Sequence, residues 1–197
     1  MEWDQSRHPV EMYPIRRVYP MGGFDFLLKG FGQAISSEAE FDPQAFFISY
    51  AQGSFKISQK SAGELWMLLN VEFSASELNE DIENDLKKAK HGKQRILRMK
   101  GDDSSDGLKH LKVIFSLREA HIRYKYLEAQ VNSMHFRSES VQKTVKQLRK
   151  LEEEMSELFK GFVALNGKDL YPAEIESEYL YRIKGLKALR VRLAKER

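Results

Sequence analysis

From Leu127 onward, apolar residues return at every seventh position: Leu127, Met134, Val141, Leu148, Met155 and Phe162 share one column. Leu151, Leu158 and Leu165 form a second column, three residues after Leu148, Met155 and Phe162. Two columns alternating at three and four residues make a coiled-coil-like seam, strongest over 141–165 and broken upstream by Gln130 and Arg137. The spacing predicts that Leu148, Leu151, Met155, Leu158 and Phe162 form a protein interface. Two ways of covering it are open: packing against helices over 108–131 and 172–195 of the same chain, or association with a second copy or another subunit. Met and Phe at seam positions suit adaptable packing better than a strict two-stranded zipper. Asn166-Gly167 supplies a glycine stop. Pro172 stands where a last helix begins, with Ile175, Tyr179, Ile183, Leu186, Leu189 and Leu193 along one stripe. Residues 132–138 contain neither Gly nor Pro, so a bend and a continuous helix are both open there.

The first half reads differently. Residues 1–20 carry Pro9, Pro14 and Pro20 with isolated aromatics Trp3, Tyr13 and Tyr19, the pattern of an irregular arm. Phe24, Leu27, Leu28 and Phe31 fit one helical face. Phe46, Ile48 and Tyr50 alternate, as do Phe55 and Ile57, and Ala51-Gln52-Gly53-Ser54 lies between them. That alternation predicts a β-hairpin over 45–58. Ser61, with Glu64 three residues on, has the form of a capping box before Leu65, Trp66, Leu68 and Leu69. Ser74 or Ser76 caps a further helix carrying Leu78, Ile82, Leu86 and Ala89, acidic at its start and basic at its end, as the helix dipole favours. Arg95–Lys100 is read as a third short strand. Gly101-Asp-Asp-Ser-Ser-Asp-Gly107 has no apolar residue and a glycine at each end, and marks an acidic linker. It lacks the terminal glutamate of a calcium loop.

The expected fold class is therefore α+β: a Pro-containing arm (1–20), a small α+β domain (21–100), the linker (101–107) and a helical domain (108–197).

Composition sharpens this picture. With 42% hydrophobic and 31% charged residues over 197 positions, the chain favours an elongated helical object over a compact enzyme. It has no Cys, so disulfides, thiolate metal sites and a cysteine nucleophile are excluded. No apolar run approaches the about 20 residues of a bilayer span, and Met1–Pro14 lacks a signal-peptide core, so a soluble, cytoplasmic protein with no membrane contact is expected. The net charge of +3 conceals a division: residues 1–84 carry 6 Lys/Arg against 13 Asp/Glu, and residues 85–197 carry 26 against 16. Such asymmetry points to a nucleic-acid or membrane partner or to a complementary subunit, or to mutual attraction of the halves.

No catalytic constellation emerges. Gly22-Gly23 and Gly30-Phe-Gly32 lack the Lys-Ser/Thr of a phosphate loop. His8, His91, His110, His121 and His135 never adopt a zinc-ligand spacing, and the eleven residues from His110 to His121 separate them by three helical turns. Asp42 with Lys56 is the one nuclease-like pairing. No cofactor or metal is expected. The charged runs are more informative. Lys87, Lys88, Lys90, Lys93, Arg95, Arg98 and Lys100 fall within fourteen residues with no acid among them. Lys184, Lys187, Arg192 and Lys195 lie in the basic C-terminal run. Neither run carries the aromatics of a single-strand stacking platform, and a winged-helix reading of 57–100 meets acidic residues where a recognition helix would face bases. The expectation is a non-catalytic subunit of a larger assembly, contacting other proteins through its helices and nucleic-acid phosphates through these cations. The alternative is a protein adaptor whose basic half meets an acidic partner.

Overall fold

The computed structural model describes residues 21–36, 40–74, 79–101, 106–133, 138–166 and 172–195. Among them are seven helices and no strand: α1 Met21–Ser36, α2 Pro43–Phe55, α3 Gln59–Leu69, α4 Asn79–Arg98, α5 Asp106–Ser133, α6 Ser138–Asn166 and α7 Pro172–Lys195. The arm at 1–20, Ser76, linker residues 102–105, residues 134–137, Gly167 and Arg197 lie outside the described residues.

The α+β expectation is overturned, since the described part of the head is helical. The expected hairpin at 45–58 is helical as far as Phe55, within α2, and its last three residues link α2 to α3. Asp42 caps it, its Oδ1 accepting from the backbone N–H groups of Gln44 at 2.9 Å and Ala45 at 3.0 Å. Pro43 occupies the first turn, where its missing N–H costs nothing. The alternating aromatics serve a helix equally well. Phe47, Ala51 and Phe55, four apart, form its buried face, and the rings of Phe46 and Tyr50 lie 6.3 Å apart on its flank. Lys56 ends the helix in the left-handed region at φ 53°. The expected strand at Arg95–Lys100 is, as far as Arg98, the last turn of α4. The capping box is displaced by one turn: Ser58 caps α3, its Oγ accepting from Ser61 N–H at 3.2 Å, and Glu64 pairs instead with Arg95.

The chain separates into two compact units. One comprises the described residues up to Glu72 together with Gln94–Lys112; the other comprises Phe73–Lys93 and the chain from Val113 onward. In the first unit α2 packs on α3, with Phe47 and Trp66 rings 5.4 Å apart. Gly101 and Gly107 both sit against Phe55. A Cβ on Gly101 would lie 2.6 Å from the Phe55 carbonyl oxygen, and one on Gly107 2.5 Å from the ring. Glycine is needed there for close approach, since neither residue has a positive φ.

In the second unit four helical segments run antiparallel in succession. Leu86 and Ala89 of α4 pack on Ile122 of α5, while Gly92 meets Phe115, so these two helices oppose one another. Along α7, Tyr179 stands beside Phe159 and Ser156 of α6 and Arg190 beside Glu152, which makes α6 and α7 antiparallel. Gly185 against Tyr124 and Arg192 against Asn132 set α7 parallel to α5. This up-and-down arrangement lets each helix bury one stripe against its neighbours. Ile183, Leu186, Leu189 and Leu193 supply the stripe of α7, with Ile175 and Tyr179 half-buried toward its start.

The closest approach of α7 to α5 is at Gly185. A Cβ there would meet the Tyr124 hydroxyl at 2.5 Å and Cζ at 2.9 Å, and that hydroxyl donates to Glu128 Oε1 at 2.6 Å. Gly185→Ala gains about 1 kcal/mol of helix propensity. It must displace a phenol held by a hydrogen bond, and overpacking costs about 1–3 kcal/mol. A net loss of up to about 2 kcal/mol is expected in thermal or urea melts; a more stable variant would mean that the ring turns aside without cost.

Candidate functional site

On α4 a helical repeat of 3.6 residues sets Lys87, Lys88, Lys90, Arg95 and Arg98 within about 160° of one another, on the side away from Leu86, Ala89 and Ile96, and Lys93 alone falls on the buried stripe. Lys87 pairs with Glu83 at 3.0 Å and Lys88 with Asp85 at 3.4 Å. Asp85 is itself buried and accepts from the Ser74 backbone N–H at 2.7 Å. Arg95 pairs with Glu64. Lys90, Arg98 and Lys100 are exposed.

Lys93 follows Leu86 and Ala89 on the buried stripe of α4 and points inward. Its Nζ lies 2.8 Å from Glu119 Oε2 on α5 and 3.0 Å from Glu154 Oε1 on α6. Arg123 closes the ring: its Nε is 3.1 Å from Glu119 Oε1, and its Nη2 donates to Glu154 Oε2 at 2.8 Å. The Nε contact lacks hydrogen-bond geometry, leaving that N–H without an acceptor. Two cations and two carboxylates thus alternate among three helices, with the Glu119 side chain only 4% exposed. Burial by itself would lower the Lys93 pKa, but the hydrogen bonds and charges of Glu119 and Glu154 outweigh it and hold the pKa above its ordinary value. Burial would likewise raise that of Glu154; Lys93 and Arg123 outweigh it and hold the carboxyl below its ordinary value. The Tyr124 phenol is pushed far up, first by burial and then by Glu128, against the opposing charge of Arg192.

The C-terminal cations are placed differently. Lys184, Lys187, Arg192 and Lys195 are exposed on α7. Arg192 donates to Asn132 Oδ1 at 2.8 Å, and the half-buried Arg190 pairs with Glu152 at 3.3 Å. A row that sequence reading missed lies on α6, where Lys143, Lys146, Arg149 and Lys150 are exposed opposite Val141, Val145 and Leu148. The signal was the three-and-four spacing of Lys143, Lys146 and Lys150 between the apolar positions. Because α6 and α7 are antiparallel, this row and the C-terminal cations lie toward one end of the helix pair. Segments 141–150 and 184–195 together hold nine Lys/Arg and no acid.

The seam residues proposed as a protein interface are occupied within the chain. Leu148, Leu151, Met155 and Phe162 are buried, and Leu158 is half-buried. Phe159 takes the inward position instead, stacked 5.8 Å from Phe162. The enzyme-like pairing does not converge, because Asp42 and Lys56 cap opposite ends of α2, about 20 Å apart at 1.5 Å per residue. His110 and His121 are half-buried on α5, and His91 is exposed on α4. Among the described residues no three His, Asp or Glu side chains are grouped to hold a metal ion, and no helix is long and apolar enough to cross a membrane.

Compared with known proteins, the chain matches no family model, no curated protein and no solved structure.

Proposed function

We propose that the chain is a non-catalytic helical subunit of a larger intracellular assembly, which contacts nucleic-acid phosphates through α6 and α7. The observation that carries this reading is the pair of acid-free segments, 141–150 and 184–195, with eight exposed cations on neighbouring helices. A surface of one sign attracts a polyanion and gains from the counterions released when phosphates are neutralised. The run at Lys87–Lys100 contributes less, because Lys93 and Arg95 are held by carboxylates of the chain itself. For the protein side of the assembly, Phe31 and Ile35 stand one turn apart on α1, 67% and 69% exposed, and offer a partner an apolar foothold.

The test is a binding titration over a salt series with mixed-sequence nucleic acids, single- and double-stranded. Each neutralised phosphate of B-form DNA contributes about 0.9 to the slope of log affinity against log salt. Replacing Lys143, Lys146 and Lys150 together with Gln is expected to weaken binding to all sequences alike and to flatten that slope by up to about 2.7. Loss confined to one sequence would mean base readout. If the parent chain binds no nucleic acid even at low salt, the reading fails and an acidic protein partner takes its place.

A further inference from the structure

The two basic rows carry more than a general attraction to phosphate. We infer that the surface formed by Lys143, Lys146 and Lys150 of α6 with Lys184, Lys187 and Lys195 of α7 selects double-helical over single-stranded nucleic acid, without reading its sequence. This inference rests on the reading above, and names the class of polyanion that the surface takes.

Two observations carry it. The first is what the rows lack. Segments 141–150 and 184–195 contain no Phe, Tyr, Trp or His, and among the described side chains of this part of α7 the large exposed apolar ones, Leu180 and Val191, are aliphatic. Single-strand binders draw much of their affinity from bases stacked on aromatic rings, and these two segments offer no such ring. A strand with splayed bases would gain only its backbone contacts. The second is the concentration of charge. Lys143 to Lys150 rises about 10 Å along α6, and Lys184 to Lys195 about 16 Å along α7, on helices whose axes lie about 8–10 Å apart. A duplex presents a phosphate charge every about 1.7 Å of its axis, counting both strands, and so can occupy lysines on both helices within half a turn. A single strand can follow one row at a time, or must bend between them at an entropic cost.

The rows are also poor in what sequence reading requires. Six of their eight exposed cations are lysines, which supply point charges rather than the planar, bidentate donors that distinguish bases; the two arginines are Arg149 and Arg192, and Arg192 already donates to Asn132. Gln142 and Gln147 are the exposed amides of the α6 row, but they share the face with charges already drawn to the backbone.

The experiment uses the full chain and a labelled mixed-sequence strand, alone and annealed to its complement, in fluorescence anisotropy titrations over a tenfold range of salt. With six phosphate contacts the slope is about 5.4 for the duplex, and about 4.2 for a single strand that bends to reach all six. The duplex is therefore expected to bind tighter at low salt, its advantage growing by at least about sixteenfold for each tenfold dilution of salt. A second duplex of unrelated sequence should match the first within about twofold. Replacing all six lysines with Gln should abolish the preference while the thermal melt stays that of the parent, since every one is exposed. Equal affinity and slope for the two forms, or tighter binding of the single strand, would overturn duplex selection and leave phosphate contact standing. Binding of neither form would overturn both.

Discussion

Leu148→Ala is expected to lower the stability of the chain by about 4 kcal/mol, and Leu158→Ala by about 1 kcal/mol. Both are leucines of the seam, one heptad repeat plus three residues apart, and both would be equal in a strict coiled coil. They differ because an α-helix has 3.6 residues per turn, so a column repeating every seven residues drifts by about 20° per heptad on a straight helix. The column through Thr144, Leu151, Leu158 and Leu165 begins inside, with Thr144 and Leu151 buried, and turns outward to the half-buried Leu158 and Leu165. Phe159 moves in as that column leaves, packing against Phe162 and Tyr179. Leu148 is 1% exposed, so truncation removes its transfer energy and leaves a cavity. Thermal melts should show a drop of about 8–16 °C for Leu148→Ala and only a few degrees for Leu158→Ala. Equal shifts for the two variants would mean that α6 coils strictly against a partner helix and that its packing in the monomer is different.

The same arithmetic explains what the sequence disclosed and what it hid. The long helices announce themselves, because a stripe repeated over four or more turns can be satisfied by no other regular structure. The five-residue alternation Phe46-Ile48-Tyr50 is too short to have that force. It fits a strand, but Phe47, Ala51 and Phe55 at intervals of four fit a helix as well, and the deciding signal was local. Asp42-Pro43 is a cap followed by the residue best tolerated in a first helical turn. Gly53 near the helix end weighed toward a turn, though a glycine costs a helix only about 1 kcal/mol.

For the charged residues, composition located the cations but not their direction. Counted as a run, Lys87–Lys100 is the densest basic stretch of the chain; placed on α4, its Lys87, Lys88 and Arg95 are held by Glu83, Asp85 and Glu64, and its Lys93 turns inward. The register Leu86, Ala89, Lys93, Ile96 was readable as an apolar stripe with one lysine in it, and a charge on such a stripe asks for a partner. Phe115, Glu119, Ile122 repeats the pattern with opposite sign on the next helix. What sequence could not supply was that these two stripes face each other, with Glu154 and Arg123 completing the set. The α6 row was hidden for the converse reason: its lysines sit where any amphipathic helix is polar, and only the antiparallel neighbour brings the C-terminal cations to the same end of the helix pair.

Glu119→Gln should be among the most damaging of substitutions at polar positions, costing about 3 kcal/mol, the low end of the range for breaking a buried ion pair. Glu119 is the most deeply buried of the four charges and faces both Lys93 and Arg123. Glutamine keeps its shape while leaving two cations to share Glu154. Since Lys93 and Arg123 retain 22% and 25% side-chain exposure, water recovers part of the loss, which places the cost at the lower end. Removing a cation with the carboxylate tells a different story. Lys93→Met with Glu119→Leu leaves Arg123 and Glu154 as a neutral pair 2.8 Å apart and replaces one half-buried and one buried charge with apolar volume. Such replacements are commonly neutral or stabilising, so the double variant should melt near the parent and well above Glu119→Gln. The dependence on pH follows the same pairing. Glu154 has its pKa lowered below 4.5, so its contribution is present above that value and is lost as pH falls through the depressed folded value. Lys93 has its pKa raised above 10.5, so its contribution is present below that value and is lost as pH rises through the elevated folded value. Between these limits the ring contributes a plateau. Melts of the Lys93→Met/Glu119→Leu variant should lose the alkaline fall that Lys93 causes in the parent and keep part of the acid one, because Glu154 still holds Arg123. A double variant as unstable as Glu119→Gln, with the alkaline fall of the parent intact, would show that the ring does not form and that Lys93 is available to the surface.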